Sequence, residues 1–81
     1  MQVYVLQIDH KHGTSISAFT TEQLAEHWVA DFCREWWDHE NVEGNPPDND
    51  SECITQYFNH IDGRESWEIY TCTLDEGYVH A

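Results

Sequence analysis

The chain has 81 residues, sixteen of them Asp or Glu against three Lys or Arg, for a formal charge of −13. This length allows one domain with a modest core, and 40% hydrophobic and 14% aromatic content is enough to fold it, which excludes disorder. With only Lys11, Arg34 and Arg64 to displace counterions from phosphates, direct binding of DNA, RNA or an anionic membrane is excluded; the acidity favours basic partners, or serves solubility alone.

Residues 2–19 read as an antiparallel hairpin. In Gln2–His10, Tyr4, Leu6 and Ile8 alternate onto one face and Val3 and Val5 onto the other. Lys11, His12 and Gly13 form the turn, with Gly13 the expected site of positive φ. Residues 14–19 return as a second strand, with Ile16 and Ala18 on one side and Ser15 and Ser17 on the other. The serine side is expected to be wet, so that the sheet is covered on one face only.

Residues 20–38 carry the pattern around which the chain is organised. Leu24, Ala25, Trp28, Val29, Phe32, Cys33, Trp36 and Trp37 form one wide apolar stripe at helical spacing. Thr20 is the expected N-cap, with Gln23 closing a capping box and Phe19 and Leu24 forming a hydrophobic staple. Such a helix, roughly 27 Å long, crosses a small sheet from end to end. Trp28, on this stripe, is expected to be core.

Residues 38–51 form an acidic linker broken by Gly44, Pro46 and Pro47, and are expected to be the most mobile part. A second helix over 51–62 has Cys53, Ile54, Tyr57, Phe58 and Ile61 on its stripe and Gly63 as its left-handed stop. Asp48, Asn49, Asp50 and Ser51 all suit its cap. Residues 66–74 form the last strand, and residues 75–81 a turn and then a tail or very short edge strand. The order β-β-α-α-β predicts an α+β fold: a three-stranded antiparallel sheet, first strand central, with two helices packed on one face. Val3 and Val5 then point outward, joined by either Trp67 with Ile69 or Tyr70 with Cys72. A patch of this kind marks a partner site or a dimer seam unless the tail covers it.

Chemistry-bearing clusters are few. Cys33, Cys53 and Cys72 fit no zinc or redox spacing, and the first two read as buried thiols in a reducing compartment. His10 and His12, with Asp9, Asp38-His39-Glu40 and His60 with Asp62, supply possible metal donors, but Asp9 and His10 point to opposite faces of a strand. No nucleophile elbow, phosphate loop or HExxH is present. No catalytic residue, metal or cofactor is expected, and the chain is not read as an enzyme. Met1 opens directly into strand-like sequence with no leader or membrane span, so the expected location is the cytoplasm of a host bacterial cell.

The acids remain. Asp38, Glu40, Glu43, Asp48, Asp50 and Glu52 crowd the linker, while Glu22, Glu26, Asp31 and Glu35 line the outward face of the long helix. Glu22 with Glu26, and Asp31 with Glu35, repel at i,i+4, and only Arg34, flanked by Asp31 and Asp38, offers relief. Repulsion left uncompensated suits a basic partner. With Trp67, Trp36 or Tyr57 as an apolar anchor, these ten acids form the candidate binding surface.

The runs I-D-H-K-H-G-T at residues 8–14, F-T-T-E-Q at 19–23 and R-E-W-W at 34–37 resemble small proteins of phages and mobile elements over the first half of the chain. Size, acidity and aromatic richness are similar to those of anti-CRISPR proteins, single-domain phage inhibitors of which several mimic DNA or block a nuclease's DNA-binding surface. That group has no defining motif, so the resemblance carries over no residue. It implies an inhibitor that binds the basic nucleic-acid-binding surface of a host defence nuclease complex. The alternatives are a homodimeric module joined through Val3, Val5 and Trp67, and a metal-binding protein using His10 and His12.

Overall fold

A computed structural model describes residues 1–11, 13–61 and 63–73. Strands β1 (Gln2–His10) and β2 (Gly13–Phe19) are followed by helices α1 (Glu22–Trp36) and α2 (Asp50–Ile61) and by strand β3 (Ser66–Thr73). The sheet is antiparallel throughout, in the order β2-β1-β3. This is the expected α+β arrangement. The turn and tail read over residues 75–81, His12 of the hairpin turn and Asp62 lie outside the described residues.

The register pairs Leu6 with Ser17 and Ile69, and Ile8 with Ser15 and Trp67. These side chains share the face that the helices cover, and Leu6 and Ile8 are completely buried. The core joins them to Val29, Ala30, Phe32, Cys33 and Trp37 from α1 and its end, and to Cys53, Ile54, Tyr57 and Ile61 from α2. Each large apolar side chain buried here contributes about 1.5–3 kcal/mol.

The sheet is covered on one face, but β2 is turned over relative to expectation. Ser15 and Ser17 lie half-buried on the helix side, whereas Ile16 points outward and is 68% exposed. Pairing decides this: Tyr4, Leu6 and Ile8 bury far more apolar area than β2 can, and Ser15 and Ser17 sit opposite them in register. Trp67 falls on the helix side for the same reason, packing 6.4 Å from Phe58. The outward set of β3 is therefore Tyr70 with Cys72, and a dimer seam containing Val3, Val5 and Trp67 together is ruled out.

Helix α1 is shorter and capped one residue later than expected. Thr21, in extended conformation, accepts a hydrogen bond from the Leu24 amide at 3.2 Å. Leu24 is consequently the third helical residue, not the fourth that the staple with Phe19 requires, and is 51% exposed. Replacing Thr21 by Ala is expected to cost about 1 kcal/mol and Thr20 by Ala almost nothing, as read by urea denaturation; the reverse order would return the cap to Thr20. Trp28 is 37% exposed, and the fully buried tryptophan is Trp37, just past the helix.

Helix α2 begins at Asp50, one residue before the expected start. Asn49 caps it, its side chain accepting from the Glu52 amide at 3.0 Å. Gly63 has φ +80°, as expected of a left-handed stop. Contacts climb along both helices in the same direction: Asp50 meets His27, Cys53 meets Ala30, Tyr57 meets Phe32 and His60 meets the Glu40 carbonyl. The helices therefore run roughly parallel, which is why a long return segment must separate them.

That segment, expected to be the most mobile part, is tied down at several points. The Trp37 indole N–H donates to the Gly44 carbonyl at 2.9 Å, and the Val42 amide to the Trp37 carbonyl at 3.1 Å. Arg34 donates to the carbonyls of Pro47 and Asp48 at 3.3 and 3.0 Å.

Candidate functional site: an acidic helix layer

The ten candidate acids divide into two groups. Three are ion-paired within the chain. Asp31 and Asp50 both bind Arg34, at 3.1 and 2.8 Å, and Asp50 also meets His27 at 2.9 Å. Arg34 thus reaches across to α2 instead of relieving Asp38 as expected. Glu40 is almost buried and pairs with Lys11 at 2.7 Å. The Lys11 ammonium holds the Glu40 carboxyl below its usual range. In the same way Asp50 is held low by Arg34 first and His27 second.

The remaining seven, Glu22, Glu26, Glu35, Asp38, Glu43, Asp48 and Glu52, are all exposed, and none forms an ion pair among the described residues. They lie on the two helices and their connection. None of the three cations is ion-paired to them: Lys11 pairs with Glu40, Arg34 with Asp31 and Asp50, and Arg64 hydrogen-bonds the Ile61 carbonyl at 2.9 Å.

Glu26 and Trp67 do converge. Together with Ser51, Ile54 and Thr55 they line a half-open groove of about 110 Å³ between the first halves of the two helices. Glu22 stands one turn before Glu26 on α1, and Glu52 next to Ser51 on α2. Of the other proposed anchors, Tyr57 is buried and unavailable, and Trp36 is half-buried under Lys11, whose ammonium is 6.0 Å from its ring. Sequence reasoning missed Glu65. It is buried, accepts from the Tyr57 hydroxyl at 2.9 Å and from the Lys11 amide at 3.3 Å, and closes the hairpin turn onto α2. No local pattern distinguishes it from the other fifteen acids.

The His27–Asp50–Arg34 cluster makes stability pH-dependent. Hydrogen bonding to Asp50 and the nearby Asp31 charge raise the His27 pKa. Its contribution is complete below its unfolded value of about 6.5 and is lost as pH rises through the folded value. Asp50 acts in the opposite sense, contributing above the normal carboxylate range and losing its effect as pH falls. The bridge is therefore fullest from about pH 4 to 6.5. The urea midpoint is expected to fall more between pH 5.5 and 8 for the native chain than for His27→Gln; equal slopes would remove His27 from the bridge.

No group of three His, Cys, Asp or Glu side chains is placed to hold a metal among the described residues. His10 instead hydrogen-bonds Ser15 at 3.1 Å and packs 5.5 Å from Phe32. Cys33 and Cys53 are buried, which pushes both thiols up, while Cys72 is exposed. No described helix is long and apolar enough to cross a membrane.

Fold and surface together define a small α+β protein with an uncompensated acidic helix layer. No family model matches the chain, and comparison with curated proteins and with solved structures gave no match.

Proposed function

We propose that this protein is a binding protein that occupies a basic, nucleic-acid-binding surface of another protein, acting as a small acidic inhibitor of a nuclease complex such as a CRISPR effector in a host bacterial cytoplasm. The observation that supports this reading is that seven exposed carboxylates have no ion-pair partner among the described residues, Lys11 and Arg34 being paired with other acids and Arg64 turned onto the Ile61 carbonyl. Carboxylates at this density resemble a phosphate backbone to a groove lined by Lys and Arg, and they steer association over long range. Asp31, Glu40 and Asp50 serve the fold and are not part of the contact. Glu22, Glu26, Glu35, Asp38, Glu43, Asp48 and Glu52 make it, with Trp67 at the groove. No catalysis is assigned to the chain.

The test is affinity capture from bacterial lysate with the native chain and with a variant carrying Glu22→Gln, Glu26→Gln, Glu43→Gln, Asp48→Asn and Glu52→Gln. The expected result is a nucleic-acid-binding complex held by the native chain at low salt, released at high salt, and not retained by the variant. Its nuclease activity is expected to fall on adding the native chain. Retention of the same proteins by a folded variant at high salt would remove the acidic layer from the contact.

A further inference from the structure

The sheet's other face is unlike the solvent side of an ordinary one-sided sheet, which is polar. The register gathers Val3, Val5, Ile16, Ala18, Tyr70 and Cys72 on it. Ile16 is 68% exposed and Tyr70 43%, and neither helix lies over them. One end of this face is charged and held in position. The Asp9 carboxylate accepts from Thr14 at 2.6 Å and from Gln7 at 3.3 Å, and Glu68 accepts from the Tyr70 hydroxyl at 2.8 Å. Glu68 and Gln7 are paired across β1 and β3, which sets the two carboxylates on the same end. All three cations lie elsewhere: Lys11 faces Glu40 and Trp36 on the helix side, Arg34 belongs to α1, and Arg64 is turned onto the end of α2.

We infer that this face is the apolar anchor for the basic partner proposed above, taking an amphipathic segment rich in Lys or Arg. The segment's apolar side lies on Val5, Ile16, Ala18 and Tyr70, and its cations meet Asp9 and Glu68. Charge selects this occupant over a second copy of the chain. Each copy carries −13, and none of its three Lys and Arg side chains is placed on this face to answer the partner copy's carboxylates. The inference rests on the acidic-binder reading and supplies what that reading lacks. Exposed charges set association rate more than residence time, so a stable complex needs desolvated apolar contact as well.

Two synthetic peptides separate the contributions. One is an amphipathic helix of leucine and lysine; the other has the same lysines with serine replacing every leucine. Both are titrated into the native chain and into Ile16→Thr/Tyr70→Thr by calorimetry, with amide shifts mapped by NMR. Threonine preserves strand propensity at exposed positions; if the double variant loses cooperative unfolding, the two single variants are read instead. The expected result is that the leucine peptide binds the native chain about tenfold or more tighter than the serine peptide, as burial of one to two apolar side chains gives. That advantage disappears in the variant, and the shifts centre on Val5, Ala18 and Tyr70. Equal binding of the two peptides would overturn the anchor and leave the acidic-binder reading standing. Binding of neither would overturn both. An advantage that survives in the variant, shifts confined to the helices, or a native dimer that the variant dissociates would each overturn the anchor.

Discussion

Trp37→Ala is expected to lower stability by about 3–5 kcal/mol, a large fraction of what a domain of this size has. The side chain is 1% exposed and belongs to the core shared by both helices and the sheet. Its indole N–H also holds the return segment through Gly44 at 2.9 Å. The substitution therefore removes packing and leaves the Gly44 carbonyl without its donor. Trp37→Phe separates the two effects, keeping most of the apolar volume while losing the hydrogen bond, for a smaller loss of about 1–2 kcal/mol. Trp28→Ala serves as the internal comparison. Trp28 is 37% exposed and stacks on Phe32 at 6.5 Å, so it should cost clearly less than Trp37→Ala. Urea denaturation followed by far-ultraviolet circular dichroism reads all three without depending on tryptophan emission. A Trp28→Ala variant less stable than Trp37→Ala would move the centre of the core back along α1.

Glu65→Ala is expected to cost about 2–3 kcal/mol, more than any other single acid in the chain. The loss does not come from charge in the ordinary surface sense. The Tyr57 hydroxyl is buried and donates to this carboxylate at 2.9 Å, and the Lys11 amide donates to its other oxygen at 3.3 Å. Burial first, and the hydrogen bond to Glu65 second, push the Tyr57 pKa up. Without Glu65 the hydroxyl is a buried donor with no acceptor, which carries the full desolvation penalty. Two further variants make the argument testable. Glu65→Gln keeps an acceptor and should lose much less. Tyr57→Phe combined with Glu65→Leu removes both polar partners and should recover most of the stability lost in Glu65→Ala. A double variant as unstable as Glu65→Ala would show that packing of the Glu65 stem, and not the hydrogen bond, is what matters. Because Glu65 is buried and is not one of the seven exposed carboxylates, these variants should leave binding to a basic partner unchanged wherever they remain folded.

The acidic surface illustrates how folding redistributes residues that look alike in sequence. Asp48 and Asp50 are two positions apart, both flanked by caps and acids. Asp50 falls where α2 starts against α1 and is clasped by Arg34 and His27, whereas the Asp48 side chain stays in solvent. Glu40 and Glu43 separate in the same way, one paired with Lys11 from the hairpin turn and the other exposed. Which acids are available to a partner therefore depends on where three cations land. The contacts that set acids apart from their neighbours, Lys11 with Glu40 and Arg34 with Asp50, join residues far apart in sequence, whereas Arg34 with Asp31 and Arg64 with the Ile61 carbonyl are local.

By itself the sequence determined the elements, their order and the α+β class, because each rests on local periodicity. Alternation over Gln2–His10 and pairs every four residues from Leu24 to Trp37 are short-range signals that packing reinforces. The positive φ at Gly13 and Gly63, +129° and +80°, was legible from turn chemistry alone. Tertiary structure decided what periodicity leaves degenerate. Alternation states that Ile16 opposes Ser15, but only pairing with Leu6 and Ile8 decides which of the two faces the helices. The wide stripe of α1 includes Leu24, Trp28, Phe32 and Trp37, but a helix buries an arc narrower than that. The parallel course of α2 selected Phe32 and Trp37 and left Leu24 and much of Trp28 in solvent. The same docking brought Asp50 to Arg34 and Glu65 to Tyr57, contacts spanning 16 and 8 residues. Such contacts depend on where whole elements come to rest, and no local spacing encodes that.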